Sequence, residues 1–577
     1  MSSAERTTGQ ALRGIRRREL QLVFVSALAA SLIALWWSWA HSAFLLYGDA
    51  EAHMHIARRL FDSHRPGITQ LGSVWLPLPH LLMVPFVAVD SWWRSGFAPA
   101  IPSMACYLLA SIALYTLARK WLSPVSSCVA LVLFAANPNL LYLQTTAMTE
   151  PLFLCELICS VLLLVEWYTS LDDEALHARN QRLLWTLIAV LVAAIYTRYD
   201  GWILAFLAWI AMARCVANRG RLLRTSFILA SVILLLAPVG WMLYNAVVFG
   251  DWLEFMRGPY SAKAIELRTA SSAIAPHPGW HNPWVSAIFF VKAAEMDAIV
   301  ESWGGVLFWA ALAGTVVSWV LPGRYVEAAN HPLKLSSRAV WWTIFLWLPL
   351  PFYAYSVSYG SVPIFLPVWW PHGWYNTRYG MELLPALALF AGFAVQGIIG
   401  LMRSRLTRWE PFVSRAFFVA LFIALGVNIA QMLHEQPLTY VEAKKNTAAR
   451  SYYNTVLPVA LKSLHLLDPH GVVLMDTSTF ASVVPHAGLT YRQTINESDK
   501  QFYWAALGAP AEHASIILAF AGDDIDKAVK AHPQHLRIYQ TFHSPFRGWD
   551  QADATIYVTD TFPSTPVTQP STTPASR

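Results

Sequence analysis

Charged residues are scarce in this sequence. Lys, Arg, Asp and Glu make up 13% of its 577 residues, where a soluble protein of this length would carry about a quarter. Hydrophobic residues reach 56% and the mean hydropathy is +0.41, which excludes an ordinary soluble globular chain. Cysteine is rare too. Cys106, Cys128, Cys155, Cys159 and Cys215 lie in or beside apolar runs and none in the polar C-terminal part, so a disulfide framework is not indicated. Cys155 and Cys159 share a helix face, but without further ligands they read as packing residues. Lys and Arg outnumber Asp and Glu, 41 to 35. The basic residues sit in short loops between apolar runs, so the excess reads as membrane topology and not as nucleic-acid binding. No internal repeat of solenoid type is present.

What the sequence does have is a series of apolar runs long enough to cross about 30 Å of hydrocarbon. The first, 20–46, exceeds a signal-peptide core and follows the basic stretch RGIRRRE. It predicts an uncleaved anchor with a cytoplasmic N-terminus. Further spans are expected at 97–117, 124–142, 151–169, 183–196, 202–215, 226–248, 304–321, 339–356, 383–402 and 416–432, about eleven crossings in all. The Pro-broken segment 76–93, LPLPHLLMVPFVAVDSWW, reads as a helix lying in the membrane interface. Basic loops at 213–225, 322–338 and 402–415 read as cytoplasmic, which puts the C-terminus outside. The fold class expected is mainly α, a polytopic membrane protein with a small C-terminal α/β domain. Its parts are a tail at 1–19, the transmembrane catalytic domain at 20–432, an extracytoplasmic α/β domain at 433–560 and a disordered Pro/Ser/Thr-rich tail at 561–577.

Candidate chemistry collects on the outer side. The motif YGDAEAHMHIARRLFDSHRPG places Asp49, Glu51, His53 and His55 just beyond the first span, where Lys or Arg would suffice as anchors. Asp49 fits a helix N-cap, favoured by the helix dipole, and His53 stands one turn on. Asp49, Glu51 and His53 also form a conceivable metal cluster, although their spacing matches no specific site. Glu150, in TTAMTEPLFL, opens a span with Pro151 in its first turn. A carboxylate at a membrane edge is a functional candidate. In YTRYDGW, Arg198 and Asp200 either neutralise each other or serve the site. FMRGPYSAKAIELRT offers Tyr260, Lys263 and Arg268, and WYNTRYGMELLP offers Arg378 and Tyr379. An Arg outside runs against the positive-inside bias and implies an anionic partner such as a lipid phosphate. Carboxylates with cations at the bilayer edge suit attack of an acceptor hydroxyl on a sugar whose leaving group is a lipid phosphate.

The segments YGDAEAHMHIARRLFDS…QLGSVWLPLPHLLMVPF, TTAMTEPLFL, YTRYDGW and TRYGMELLPALALFAG resemble the GT-C membrane glycosyltransferases. The likeness is to the bacterial branch related to protein O-mannosyltransferases and the lipid A aminoarabinose transferase. The resemblance spans roughly 20–432 and rests on the order of the motifs. It implies an inverting transferase of the bacterial inner membrane, using a polyprenyl-phosphate sugar on the periplasmic or extracellular side and a protein or cell-envelope glycan as acceptor. It makes Asp49 the candidate base, Glu150 the second acid and Arg378 a group for the donor phosphate. Relatives commonly carry two adjacent acids in the first loop, whereas Ala50 separates Asp49 from Glu51. Some carry an Arg about where His53 stands. The cofactor question stays open between none and a divalent cation, Mg or Mn, since both habits occur in the class. A transporter or lipid-linked-sugar flippase is the alternative, and it would be expected to show repeated halves and ionisable groups at mid-membrane. A membrane-anchored structural protein would leave the acids at two separate span ends unexplained.

Overall fold

A computed structural model describes residues 3–171, 177–217, 221–269, 277–320, 337–405, 410–545 and 552–563. Much of the basic loops expected at the cytoplasmic face, and the tail from 564, lie outside these residues. The chain divides into two compact units. One comprises Met1–Ala57 and Ser73–Asn446, the other Arg58–Gly72 and Thr447–Arg577. The boundary expected at 432/433 therefore moves to 446/447, because the helix Leu438–Ala448 is bonded into the first unit. Its Thr439 N–H and hydroxyl donate to Asn139 Oδ1 at 2.9 and 3.0 Å.

The first unit is helical. Among the described residues ten helical stretches are long and apolar enough to cross a membrane, from Arg17–Ala40 to Glu410–Ala448. The chain is a polytopic membrane protein. The first helix already begins at Ser3, within the segment expected to be a tail. The span expected at 124–142 is instead two short helices, Pro124–Ala135 and Pro138–Leu143. The cause is local: Pro138 has no N–H to donate and holds Asn137 in an extended conformation. The Asn137 side chain then caps the second helix, accepting from Asn139 N at 2.9 Å and Leu140 N at 3.2 Å. Its Nδ2 donates to Asp297 O at 2.9 Å, as does Asn139 Nδ2. The break thus ties the end of helix Pro283–Ala298 to the start of Leu438–Ala448. The segment 76–93 forms helix Leu78–Val87, with Pro85 inside it, and runs into Asp90–Ser95.

Two glycines set close backbone approaches. A Cβ at Gly314 would overlap the Phe390 carbonyl, and one at Gly380 would overlap the backbone of Ala293 and Ala294. Gly380 sits in the 3-10 helix Thr377–Leu383, which rests directly on helix Pro283–Ala298. Gly380→Ala is expected to push these elements apart and cost about 1–3 kcal/mol. A lower unfolding temperature in detergent checks it.

The second unit is a five-stranded sheet in the order β2-β1-β3-β5-β4, with β1 Val473–Leu474, β2 Thr494–Ile495, β3 Ile516–Phe520, β4 Leu536–Phe542 and β5 Ala554–Thr559. β1, β2 and β3 are parallel, and β5 pairs antiparallel with both β3 and β4. The unbroken apolar run of β3 is that of a strand covered on both faces. Its core holds Leu474, Ile495, Ile517, Ala519, Ile525 and Val529. The segment Arg58–Gly72 joins this unit through Gln70 Nε2 on Asp499 Oδ1 at 3.1 Å and Arg65 Nη1 on Gln501 Oε1 at 2.5 Å.

Candidate active site

Helix Gly48–Arg59 starts with Asp49 and Glu51 in its first turn and ends with Arg58 and Arg59 in its last, so its charges oppose the helix dipole at both ends. This fixes Asp49 at the start of the helix. Glu150 is fixed likewise in the first turn of helix Glu150–Ser170, beside Pro151. Arg198 lies in the extended residue between helices His177–Thr197 and Tyr199–Val216.

Arg378 is the hub. Its Nη2 lies 2.6 Å from Asp49 Oδ2, its Nε 3.2 Å from Glu150 Oε1 and its Nη1 3.2 Å from Glu442 Oε1. Glu442 Oε2 also accepts from Thr377 Oγ1 at 2.6 Å, the Arg378 N–H at 3.2 Å and Tyr47 OH at 3.2 Å. Arg198 forms a second centre beside the first. Its Nη2 is 2.8 Å from Glu382 Oε1, its Nε 3.5 Å from Asp200 Oδ2 and its Nη1 3.6 Å from Glu150 Oε1. Glu150 is shared between the two arginines. Tyr353 OH donates to Glu382 at 2.9 Å and accepts from Arg198 Nη2 at 2.6 Å. The Tyr379 ring lies between the guanidinium groups, 5.0 Å from Arg378 and 5.4 Å from Arg198, and Tyr47 faces Arg378 at 5.0 Å. Such contacts reinforce buried cations.

Two guanidinium groups thus meet five carboxylates. Solvent access separates the acids: the Asp49 side chain is 44% exposed, while Glu150, Glu442, Glu382 and Asp200 are at most 3% exposed. Asp49 is therefore the acid an incoming molecule can reach. The other four act on the arginines. Nearby, Asp297 is fully buried with no ion-pair partner among the described residues. Burial, then Glu442 and Glu150, raise its carboxyl well above the usual range.

The remaining sequence candidates fall elsewhere. Glu51 is buried on helix Gly48–Arg59. His53 is turned to His80, Nδ1 to Nε2 at 2.8 Å, with its ring against Trp75 at 4.5 Å. Asp49 is engaged by Arg378. Asp49, Glu51 and His53 are thus not a ligand set, and no group of three His, Cys, Asp or Glu among the described residues is arranged to hold a cation. Tyr260 is 44% exposed and Lys263 is also exposed, both apart from the arginine network. The side chain of Arg268 lies outside the described part. Arg198 does more than neutralise Asp200, since Glu382 is its nearer partner.

Burial pushes the His53 imidazole down to about 4, with Arg378 and Arg198 adding to the effect and Asp49 opposing it. An imidazole depressed in the fold takes up its proton more readily when unfolded. Its contribution to stability is therefore intact above the unfolded value near 6.5 and is lost as pH falls towards 4, by on the order of 3 kcal/mol. Unfolding temperatures followed from pH 7 to 4 are expected to fall less steeply for His53→Gln than for the wild type.

A membrane helical bundle with a small C-terminal α/β unit, and with its charges drawn to one centre, has a recognisable architecture. It is the fold of solved structures of ArnT. The crystal structure of ArnT from Cupriavidus metallidurans bound to undecaprenyl phosphate is similar over nearly its whole length, with a TM-score of 0.53, 14% identity, and coverage of 94% of this chain and 98% of that one. The apo state of the same ArnT gives a TM-score of 0.51 at 14% identity, covering 92% and 97%. The Archaeoglobus fulgidus oligosaccharyltransferase in complex with Zn and sulfate is similar at a TM-score of 0.46 and 12% identity, covering 86% and 68%. The fold assignment rests on the two ArnT structures. No protein-family model matches the chain, and no curated protein matches it.

Proposed function

We propose that the protein is an inverting glycosyltransferase that moves a sugar from a polyprenyl-phosphate donor to a hydroxyl of a protein or cell-envelope glycan on the outer face of the inner membrane. The observation that carries this reading is the Arg378 hub. It draws acids from three distant parts of a membrane chain onto one guanidinium and leaves only Asp49 within reach of solvent. A likeness in fold to an ArnT that binds undecaprenyl phosphate supports the lipid donor.

Asp49 takes the proton of the acceptor hydroxyl as that oxygen attacks the anomeric carbon. The bond from that carbon to the phosphate oxygen breaks, and the polyprenyl phosphate leaves with the electron pair. Arg378 orients Asp49. A guanidinium has five N–H donors and three of its bonds go to the carboxylates named, so it retains donors for charge building on the departing phosphate. Arg198 and Tyr379 back this wall. The side chains of Asp49, Glu51 and His53 do not fit a divalent cation, since Asp49 is held by Arg378 and His53 is turned to His80.

The test is purified protein in detergent given polyprenyl-phosphate sugars and a cell-envelope extract. Release of polyprenyl phosphate that depends on the acceptor supports the reading. Movement of intact lipid-linked sugar across vesicles, with no release, supports a flippase instead.

A further inference from the structure

Arg378 has N–H donors left for a phosphate, but its charge is already matched. Five carboxylates surround the two guanidinium groups, so an anionic leaving group entering there meets an acidic field. A transfer that releases a phosphate calls for a further cation, at the solvent edge of this network and not engaged by an acid.

Helix Leu438–Ala448 supplies one. Its Thr439 is bonded to Asn139 and its Glu442 to Arg378. Its Asn446 Oδ1 accepts from the Gly48 N–H at 2.8 Å. Gly48 immediately precedes Asp49, so the last turn of this helix is pinned beside the start of the helix that carries Asp49. Lys445 lies in that last turn. It follows Glu442 by three residues and so shares its helix face, but it is exposed where Glu442 is buried. Lys445 has no ion-pair partner among the described residues. Its Nζ sits 5.1 Å from the centre of the Trp374 ring. A cation seated on an aromatic face keeps its N–H donors for another molecule.

Trp374 is itself held in place. The next residue, Tyr375, pairs with Phe365 through both backbone bonds, at 3.3 and 2.9 Å, and Asn376 Nδ2 donates to Pro363 O at 2.9 Å. Four residues after Trp374 the same segment delivers Arg378. Lys445 thus stands between the segment that carries Arg378 and the helix that carries Asp49. The adjacent Lys444 differs. Its Nζ donates to Gln436 Oε1 at 2.5 Å and lies 4.9 Å over Tyr440, so it is satisfied within its own stretch of chain.

We propose that Lys445, seated on Trp374, is a substrate-binding residue that takes the phosphate oxygens of the lipid donor at the solvent edge of the Arg378 network. An ammonium on a flexible stem is a mobile point charge, able to follow the phosphate as it separates, while Arg378 stays fixed by its carboxylates. The inference deepens the transferase reading and rests on it.

The experiment titrates the full-length protein in detergent with undecaprenyl phosphate and with undecaprenol, and measures donor and acceptor KM in the transfer assay. The wild type is expected to bind undecaprenyl phosphate saturably, and less tightly as salt rises. Lys445→Ala is expected to weaken that binding about tenfold and to flatten its salt dependence. Undecaprenol binding and the unfolding temperature should stay unchanged. Donor KM should rise by a similar factor with acceptor KM unaltered, and Lys445→Arg should retain most of the affinity. Wild-type affinity for undecaprenyl phosphate in Lys445→Ala overturns the proposal. An equal loss for undecaprenol, or a rise in acceptor KM alone, does so too. A wild type that neither binds undecaprenyl phosphate nor releases it overturns the transferase reading and this inference together. A wild type that turns over while Lys445→Ala matches it overturns the inference alone.

Discussion

Arg378→Ala is expected to abolish transfer and to cost the fold on the order of 3–5 kcal/mol. The arginine is almost wholly buried, and the Asp49, Glu150 and Glu442 carboxylates lie at 2.6, 3.2 and 3.2 Å from it. Removing the cation leaves acids facing one another in a low dielectric, with only Arg198 near Glu150 in compensation. Arg378→Lys is expected to recover little, because an ammonium is a point charge and cannot direct separate N–H groups at three partners. Pairing Arg378→Ala with Glu442→Gln removes one of the stranded charges and is expected to restore part of the lost stability without restoring activity. Unfolding temperature in detergent and turnover, measured on the same preparations, separate the two effects. An Arg378→Ala protein as stable as the wild type would show that the hub does not hold the site together.

The second large effect is expected for Asp49→Asn. The substitution keeps the size of the side chain and its oxygen acceptor for Arg378 Nη2, so the fold is expected to change by less than about 1 kcal/mol. The amide has no basic oxygen to take the hydroxyl proton, and turnover is expected to fall by about 10²–10⁴. Donor binding should change little. Glu150→Gln, by contrast, changes an acid that is 1% exposed and shared by both arginines, so it is expected to disturb stability as well as rate. If Asp49→Asn retained wild-type turnover, the base would have to be another acid.

Several members of the network could be read before the structure, because their charges are out of place for a membrane chain. Asp49 and Glu150 stand at the openings of helices, and Arg378 and Arg198 sit between apolar runs where positive charge is disfavoured. Glu382 is harder to read. It follows Arg378 by four residues, a spacing that in an α-helix pairs the two. The segment Thr377–Leu383 is a 3-10 helix instead. At three residues per turn the fourth residue points about 120° away, and Glu382 meets Arg198. The early Pro/Gly-rich approach to this segment is the only local hint of that geometry. Glu442 lies in TYVEAKKNTAAR, a polar stretch beyond the last expected span, where an acid looks solvated. Its role depends on Asn139 holding Thr439, a contact 300 residues apart in sequence that no periodicity encodes. The broken helix at Asn137-Pro138 was open to reading, since that dipeptide is a turn signal. The apolar residues around it outweigh the signal when only length and hydropathy are considered.

The central claim is that this chain consumes a polyprenyl-phosphate sugar and that Asp49 makes it do so. The most direct measurement is mass spectrometry of lipid-linked sugars in cells lacking the gene, complemented with the wild type or with Asp49→Asn. The account predicts that one polyprenyl-phosphate sugar accumulates in the deletion, disappears with the wild type and persists with Asp49→Asn. Equal levels in all three strains, or full clearance by Asp49→Asn, would contradict it.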